Sequence, residues 1–267
     1  MAFERPDSLP ISGRTRLYGF IGDPVIHART PQNLNPLFAA TGQDAVIIPV
    51  HIDAGRFETV IPQIMDLRNL DGLVVTMPFK ERLLPFLDSI APNARAVNAV
   101  NAAKRLPDGT WHGDIFDGAG LVGAAIALGL DLVGKRVGLI GAGGAGSAIA
   151  LSLADAGVAR IAVTDLNRAR AEALAALLSA RGTAAEAGPF PVGNLDILIN
   201  ATPIGMNEGD GIAIDTTGLT SATAVIDIVT KTGTPLAQQA RALGCPFTDG
   251  AAMVAAQTKA IFSFFAS

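Results

Sequence analysis

Arg136-Val137-Gly138-Leu139-Ile140-Gly141-Ala142-Gly143-Gly144-Ala145-Gly146 is the stretch on which the fold turns. The segment Arg136–Ile140 reads as a short buried strand, and the Ala-rich residues that follow Gly146 read as a helix. A glycine-rich turn between the two has a mechanical meaning. Gly141 permits the tight turn, Gly143 lets a pyrophosphate approach the backbone, and Gly146 lets helix and strand pack closely. Gly144 and Ala145 open the helix, whose free N–H groups and partial positive charge face the phosphates. A dinucleotide cradle over Gly141, Gly143, Gly144, Ala145 and Gly146 is therefore expected. An ordinary strand–turn–helix of small residues would carry the same letters, so the neighbours decide.

The next strand, Ile161-Ala162-Val163-Thr164, ends in Asp165, 24 positions after Gly141. A carboxylate there accepts hydrogen bonds from ribose hydroxyls and repels a 2′-phosphate, which favours NAD over NADP. Arg168 and Arg170 count against this, since either reaches a phosphate if the loop curls back. Asp165 also reads as a cap for the following helix. Further along, Ile197-Leu198-Ile199 delivers Asn200-Ala201-Thr202-Pro203-Ile204-Gly205-Met206 to the carboxyl edge of the sheet, where Thr202 and Met206 would cover a cofactor.

Working outward, apolar runs alternate with helical stretches, the pattern of a parallel α/β sheet. In the first half, strands are expected at Leu17–Ile21, Ala45–Val50, Gly72–Thr76 and Val97–Ala103, with helices beginning near Pro31, Ala54 and Lys80. In the second half, strands are expected at Arg136–Ile140, Arg160–Thr164, Leu195–Asn200 and Ala224–Ile228. Helices are expected at Gly118–Leu130, Gly144–Ala156, Arg168–Ala180, Pro235–Leu243 and Ala251–Phe265. The domain boundary falls near Asp117–Gly118.

Composition narrows the partners. The 267 residues carry a net charge of −4, and no block of Lys or Arg is present, which argues against nucleic acid or an anionic membrane as partner. Mean hydropathy is +0.40, yet Gly, Pro or charge breaks every apolar run before about 18 residues. Met1-Ala2-Phe3-Glu4-Arg5-Pro6 has no apolar signal core, and the single Cys245 excludes an internal disulfide. Both fit a cytoplasmic protein, with Cys245 a buried structural thiol at a helix-to-strand turn. His27, His51 and His112 lack zinc-site spacing, so no metal is expected.

Oxidising an alcohol needs a proton acceptor beside the carbinol and polar groups to orient it. Lys80, one of five lysines, lies just past an apolar strand in Val74-Val75-Thr76-Met77-Pro78-Phe79-Lys80. Asp117, in Gly113-Asp114-Ile115-Phe116-Asp117-Gly118, stands at the domain junction. Taken singly, each also reads as an exposed charge at a helix start.

Their order with other motifs resembles the shikimate dehydrogenase family from end to end. The matching segments are Gly22-Asp23-Pro24-Val25 with His27, Val75–Lys80, Ala99-Val100-Asn101, and Gly113-Asp114 with Asp117-Gly118. They continue through Gly141–Gly146, Asn200-Ala201-Thr202 with Gly205-Met206, Thr234-Pro235-Leu236, and Met253 with Gln257. The resemblance implies an N-terminal α/β substrate domain (1–117 and 249–267), a Rossmann-type domain (118–248) and an active site in the interdomain cleft. It places the catalytic lysine and aspartate on Lys80 and Asp117, and substrate contacts on Asn101, Gln257, Thr30 and Thr230. The implied reaction is reversible oxidation of a cyclic hydroxy acid of the shikimate type to its keto form, by a monomer or homodimer.

Departures from the family pattern bear on the substrate. The usual serine pair is Ala28 and Thr30, the threonine after Ala-Val-Asn is Ala102, the Asn-Thr before Asp117 is Ile115-Phe116, and the expected tyrosine is Thr230. Each lost hydrogen bond removes about 0.5–1.5 kcal/mol. Quinate or another hydroxy acid is the alternative substrate, and a low-turnover nicotinamide-binding regulator the alternative role. Where NADP-using members carry Asn-Arg-Thr, this chain has Asp165-Leu166-Asn167, which again favours NAD.

Overall fold

The computed structural model describes residues 11–26 and 28–267. Met1–Pro6 and His27, which entered the sequence reading, lie outside the described residues. The chain divides into two compact units, one running through Ile115 and rejoined by Thr258–Ser267, the other comprising Phe116–Gln257.

The first unit holds β1 (Arg16–Gly22), α1 (Thr30–Ala40), β2 (Ala45–His51), α2 (Phe57–Met65), β3 (Leu70–Val75), β4 (Ser89–Ile90), α3 (Pro92–Ala96), β5 (Ala102–Arg105) and β6 (Trp111–Asp114). Its sheet runs β2-β1-β3-β5-β6-β4. The β1 strand is parallel to β2 and β3, whereas β5 is antiparallel to both β3 and β6.

This sheet is mixed, which corrects the expectation of parallel strands alone. A hairpin joins β5 to β6 through Gly109 at φ 89°, and so short a connection can only return antiparallel. The strand expected at Val97–Ala103 is also corrected. Pro92 opens α3 instead, Asn98 takes the left-handed conformation at φ 52°, and extended backbone begins only at Ala102. No α-helix starts near Lys80: residues 80–83 form a turn and Leu84–Phe86 a single 3-10 turn. Pro85, lacking an N–H, would interrupt a helix there.

The core of this unit is aromatic. Phe57 and Phe79 stack at 4.2 Å, and Tyr18 packs on Phe38 at 4.9 Å and on Phe265 at 4.6 Å. Burial, and next the Asp71 carboxylate, push the Tyr18 phenol up to about 12. An unfolded chain releases that proton near pH 10. Stability is therefore expected to hold below about pH 10 and to fall as the pH climbs towards 12. Tyr18 is the only tyrosine, so phenolate absorbance reports it alone. A midpoint near 10 in folded protein would contradict the buried placement.

The second unit holds α4 (Asp117–Ala127), β7 (Arg136–Ile140), α5 (Gly144–Asp155), β8 (Arg160–Thr164), α6 (Arg168–Ala180), β9 (Ala184–Ala187), β10 (Ile197–Asn200), β11 (Ala224–Asp227), α7 (Pro235–Ala242) and β12 (Phe247–Asp249). Helix α8 (Gly250–Ala266) follows and contributes to both units. The sheet order is β12-β11-β10-β7-β8-β9 and every pairing is parallel. Counted from β7, this is the doubly wound order 3-2-1-4-5-6. Strand order reverses between β7 and β10, so ligands belong at the carboxyl ends of those two strands.

Strand residues of β7, β8, β10 and β11 are buried almost throughout, as expected of a sheet covered on both faces. The edge strand β9 escapes a sequence reading because Ala184-Ala185-Glu186-Ala187 favours helix, and only pairing with β8 extends it. Cys245 is buried beside β12, and its thiol donates to the Thr220 carbonyl at 3.2 Å; burial pushes that thiol up. Among the described residues no helix is long and apolar enough to cross a membrane.

Candidate nucleotide cradle and catalytic residues

The glycine turn leaves β7 at the point where strand order reverses. Gly141 has φ +100°, and a Cβ on it would lie 2.8 Å from the Ala201 carbonyl oxygen. A Cβ on Gly146 would lie 2.0 Å from the Gly141 oxygen, so helix and turn touch backbone to backbone. Gly143 differs, because nothing lies within 4 Å of where its Cβ would stand. No side chain caps the N-terminus of α5 at Gly143. Open space beside uncapped N–H groups fits a pyrophosphate, with Gly144 and Ala145 in the first helical turn.

Asp165 follows β8 and faces this turn. Its Oδ2 accepts from Ala142 N and its Oδ1 from Asn167 N, both at 2.7 Å. The carboxylate thus ties the glycine turn to the loop that starts α6. Beyond it Leu166 is wholly exposed, and Arg168, 87% exposed, donates to Glu172 at 2.7 Å.

At the end of β10, Asn200 Oδ1 accepts from the Thr202 amide at 3.1 Å and the Thr202 hydroxyl at 2.7 Å. Thr202 Oγ1 in turn accepts from Ile204 N at 3.2 Å. Gly205 turns the loop at φ +103°, and Met206 stands exposed at its tip. Asp210 Oδ2 accepts from Gly205 N and Asn207 N at 2.9 Å, and those bonds hold its carboxyl below the usual range.

In the first unit, Lys80 follows β3 and is half-buried. Its carbonyl accepts from Val100 N at 2.9 Å, while Val75 N donates to the Asn101 carbonyl at 2.8 Å. The backbone therefore brings the Lys80 turn alongside Asn101, which is buried. Thr30, buried too, is the first residue of α1; Ala28 just before it has no hydroxyl to offer.

Arg82, which the sequence did not single out, braces the Lys80 turn. Its guanidinium donates to Glu58 at 2.7 Å and to the Ala54 carbonyl at 2.7 Å, and lies over the Phe57 and Phe79 rings at 5.3 and 5.4 Å. No sequence signal would have found it, since Glu58 lies 24 residues away and meets Arg82 only in the folded chain.

Asp117 and Gln257 belong to the second unit. Asp117 is buried in the first turn of α4, and Gln257 Nε2 donates to its Oδ1 at 2.9 Å. Helices α4 and α8 approach closely at Gly120, where a Cβ would stand 2.8 Å from the Gln257 Cβ. Thr230 is exposed on the loop after β11. Among the described residues no three His, Cys, Asp or Glu side chains converge as metal ligands would.

A doubly wound cradle plus an α/β unit carrying Lys80 and Asn101 defines a dinucleotide-binding oxidoreductase fold. Residues 20–103 match the family described as shikimate dehydrogenase substrate binding domain. A shikimate dehydrogenase (NADP(+)) from Geobacter sp. (strain M21) is 35% identical over 266 residues, covering 95% of this chain and 91% of that protein. The crystal structure of shikimate dehydrogenase from Aquifex aeolicus superposes with a TM-score of 0.87 at 27% identity, covering 96% of this chain and 94% of that one. Shikimate 5-dehydrogenase from Thermus thermophilus, in complex with NADP(H) and shikimate, gives 0.84 at 26%, covering 94% and 93%. The chain belongs to the shikimate dehydrogenase family, oxidoreductases that act on CH–OH groups.

The expectation of NAD in preference to NADP is corrected by these relatives. The Geobacter protein is named for NADP(+), and the Thermus structure holds NADP(H). The hydrogen bonds of Asp165 explain how the sequence misled. Each carboxylate oxygen already accepts a backbone N–H, so the side chain acts as a turn brace and helix-start acceptor. These bonds give Asp165 a structural task in the turn, which its place in the sequence does not distinguish from ribose binding.

Proposed function

We propose that this protein interconverts a shikimate-type cyclic hydroxy acid and its keto form with NADP. The reading is carried by likeness to an enzyme of that name over 95% of this chain, and it takes for Lys80, Asn101, Asp117 and Gln257 the roles that the sequence resemblance implies. When bound, the nicotinamide supplies the hydride acceptor for the carbinol carbon. Lys80 takes the hydroxyl proton at Nζ. Asp117 orients that hydroxyl through a carboxylate that Gln257 holds at Oδ1. Asn101, Thr30, Thr230 and Gln257 position the acid.

The phosphates fit the uncapped start of α5. The 2′-phosphate fits the start of α6, which also has no side-chain cap and carries Arg168 and Arg170 in its first turn. Replacing both arginines with alanine is expected to raise KM for NADP+ by about tenfold or more, with little change in kcat.

Ala28, Ala102 and Thr230 favour a second reading for the acid, in which quinate or a less polar relative is preferred to shikimate. Initial rates of NADPH formation with shikimate and with quinate separate the two. A higher kcat/KM for shikimate supports the first reading and a higher value for quinate the second. Turnover of neither acid would overturn both.

A further inference from the structure

Strands β10 and β11 are neighbours, with Asn200 directly opposite Asp227 where both leave the sheet. Both side chains are almost completely buried, and Asn200 Nδ2 donates to Asp227 Oδ1 at 2.9 Å. The same Asp227 oxygen accepts from Val229 N at 3.2 Å, while its Oδ2 accepts from the Thr234 hydroxyl at 2.5 Å. Thr234 is buried as well, and its Oγ1 accepts from Ala237 N at 3.1 Å, capping α7. On the other side Asn200 holds Thr202 through its Oδ1, and its Nδ2 also donates to the Ile204 carbonyl at 3.2 Å. One buried carboxylate thus sets the loop after β10, the loop after β11 and the start of α7.

The position of this network in the fold gives it a purpose. With the pyrophosphate over Gly141–Gly146 and the adenosine on the β8 side, the nicotinamide half of a dinucleotide lies towards β10 and β11. The Thr202–Met206 loop leaves the carboxyl end of β10 on that side. That loop also packs against Thr234, since a Cβ on Gly205 would lie 3.3 Å from the Thr234 Cβ.

We propose that Asp227 and Thr234 are positioning residues which, through Asn200, hold the Thr202–Met206 loop in the shape that receives the nicotinamide half of the cofactor. This rests on the NADP reading above. Hydrogen bonds in such a buried chain reinforce one another, so removing one donor loosens the rest.

The test compares Thr234→Val, Thr234→Ser and Thr223→Val. Thr223 is an equally buried threonine at the other end of β11, its hydroxyl donating to the Leu195 carbonyl at 3.1 Å. NADPH binding is followed by its fluorescence, alongside Tm and amide exchange over residues 201–206 in protein without nucleotide. Thr234→Val is expected to raise the Kd for NADPH about tenfold and to speed exchange in the loop. Thr234→Ser should restore both, and Thr223→Val should lower Tm while leaving both unchanged.

Unchanged affinity and exchange in Thr234→Val, or equal changes in Thr223→Val, overturns the proposal. If Thr234→Val does not fold, Asp227→Asn is read against the same control, with the same outcomes deciding. Failure of the wild type to bind NADPH would instead overturn the cofactor reading, while the exchange comparison still decides whether Asp227 and Thr234 shape the loop.

Discussion

Lys80→Ala is expected to lower kcat by about 10²–10⁴-fold while NADPH binding stays within about twofold of the wild type. The size follows from removing the one group assigned to take the substrate proton. The selectivity follows from structure. The turn is fixed by backbone, with the Lys80 carbonyl accepting from Val100 N and Phe79 N donating to the Thr76 carbonyl, so truncating the side chain leaves its frame in place. The Phe57–Phe79 stack and the Arg82 brace remain as well. Lys80→Arg should not rescue turnover, because a guanidinium stays protonated and cannot accept a proton. Rates measured in both directions, with nucleotide affinity measured separately, check the assignment. A kcat within tenfold of wild type would remove Lys80 from the reaction.

The second large effect is expected at Gly146, in contrast to Gly143. A Cβ on Gly146 would sit 2.0 Å from the Gly141 carbonyl oxygen, a backbone atom with no rotamer to escape into. Gly146→Ala must therefore push α5 away from the turn, at about 3 kcal/mol or more, and abolish measurable NADPH binding. Gly143→Ala meets no protein atom within 4 Å, so stability should move by no more than about 1 kcal/mol. Its methyl group instead enters the space assigned to the phosphates, and affinity for NADPH should fall by at least about tenfold. Denaturation and nucleotide titration of the two variants provide the check. Equal stability loss in both would contradict the geometry of the cradle.

The second unit was legible because its physics is local. Buried parallel strands are continuous apolar runs, and a glycine turn followed by a helix states its own geometry, so β7, β8 and α6 fall where the sequence puts them. The first unit was less so. Its β5–β6 hairpin consists of two four-residue strands carrying Lys104, Arg105, His112 and Asp114, which have no apolar alternation to reveal them. Pairing, not propensity, makes them strands: β5 lies between β3 and β6, and β6 between β5 and β4.

The site divides in the same way. Gly141–Gly146 could be read from the residues themselves, and so could the loop after β10. Gln257 could not: its bond to Asp117 spans 140 residues and was reached only through a family resemblance. The network around Asp227 was not legible, because Asn200, which donates to Asp227, lies 27 residues before it and the link exists only across two strands. Asp165 was visible but misjudged. Sequence displays a carboxylate and not the two backbone amides that donate to it.

Helix α8 has a consequence for how the protein is made. Phe262 and Phe265 close over Phe38 and Tyr18, and the Lys104 ammonium donates to the Phe264 carbonyl at 3.0 Å. In chain order these residues come after the whole of the second unit, whereas the elements they cover come before it. During synthesis the aromatic face of β1 and α1 stays uncovered until α8 has been made, and long-range closure of this kind slows folding. The first unit is thus begun before the second and completed only after it.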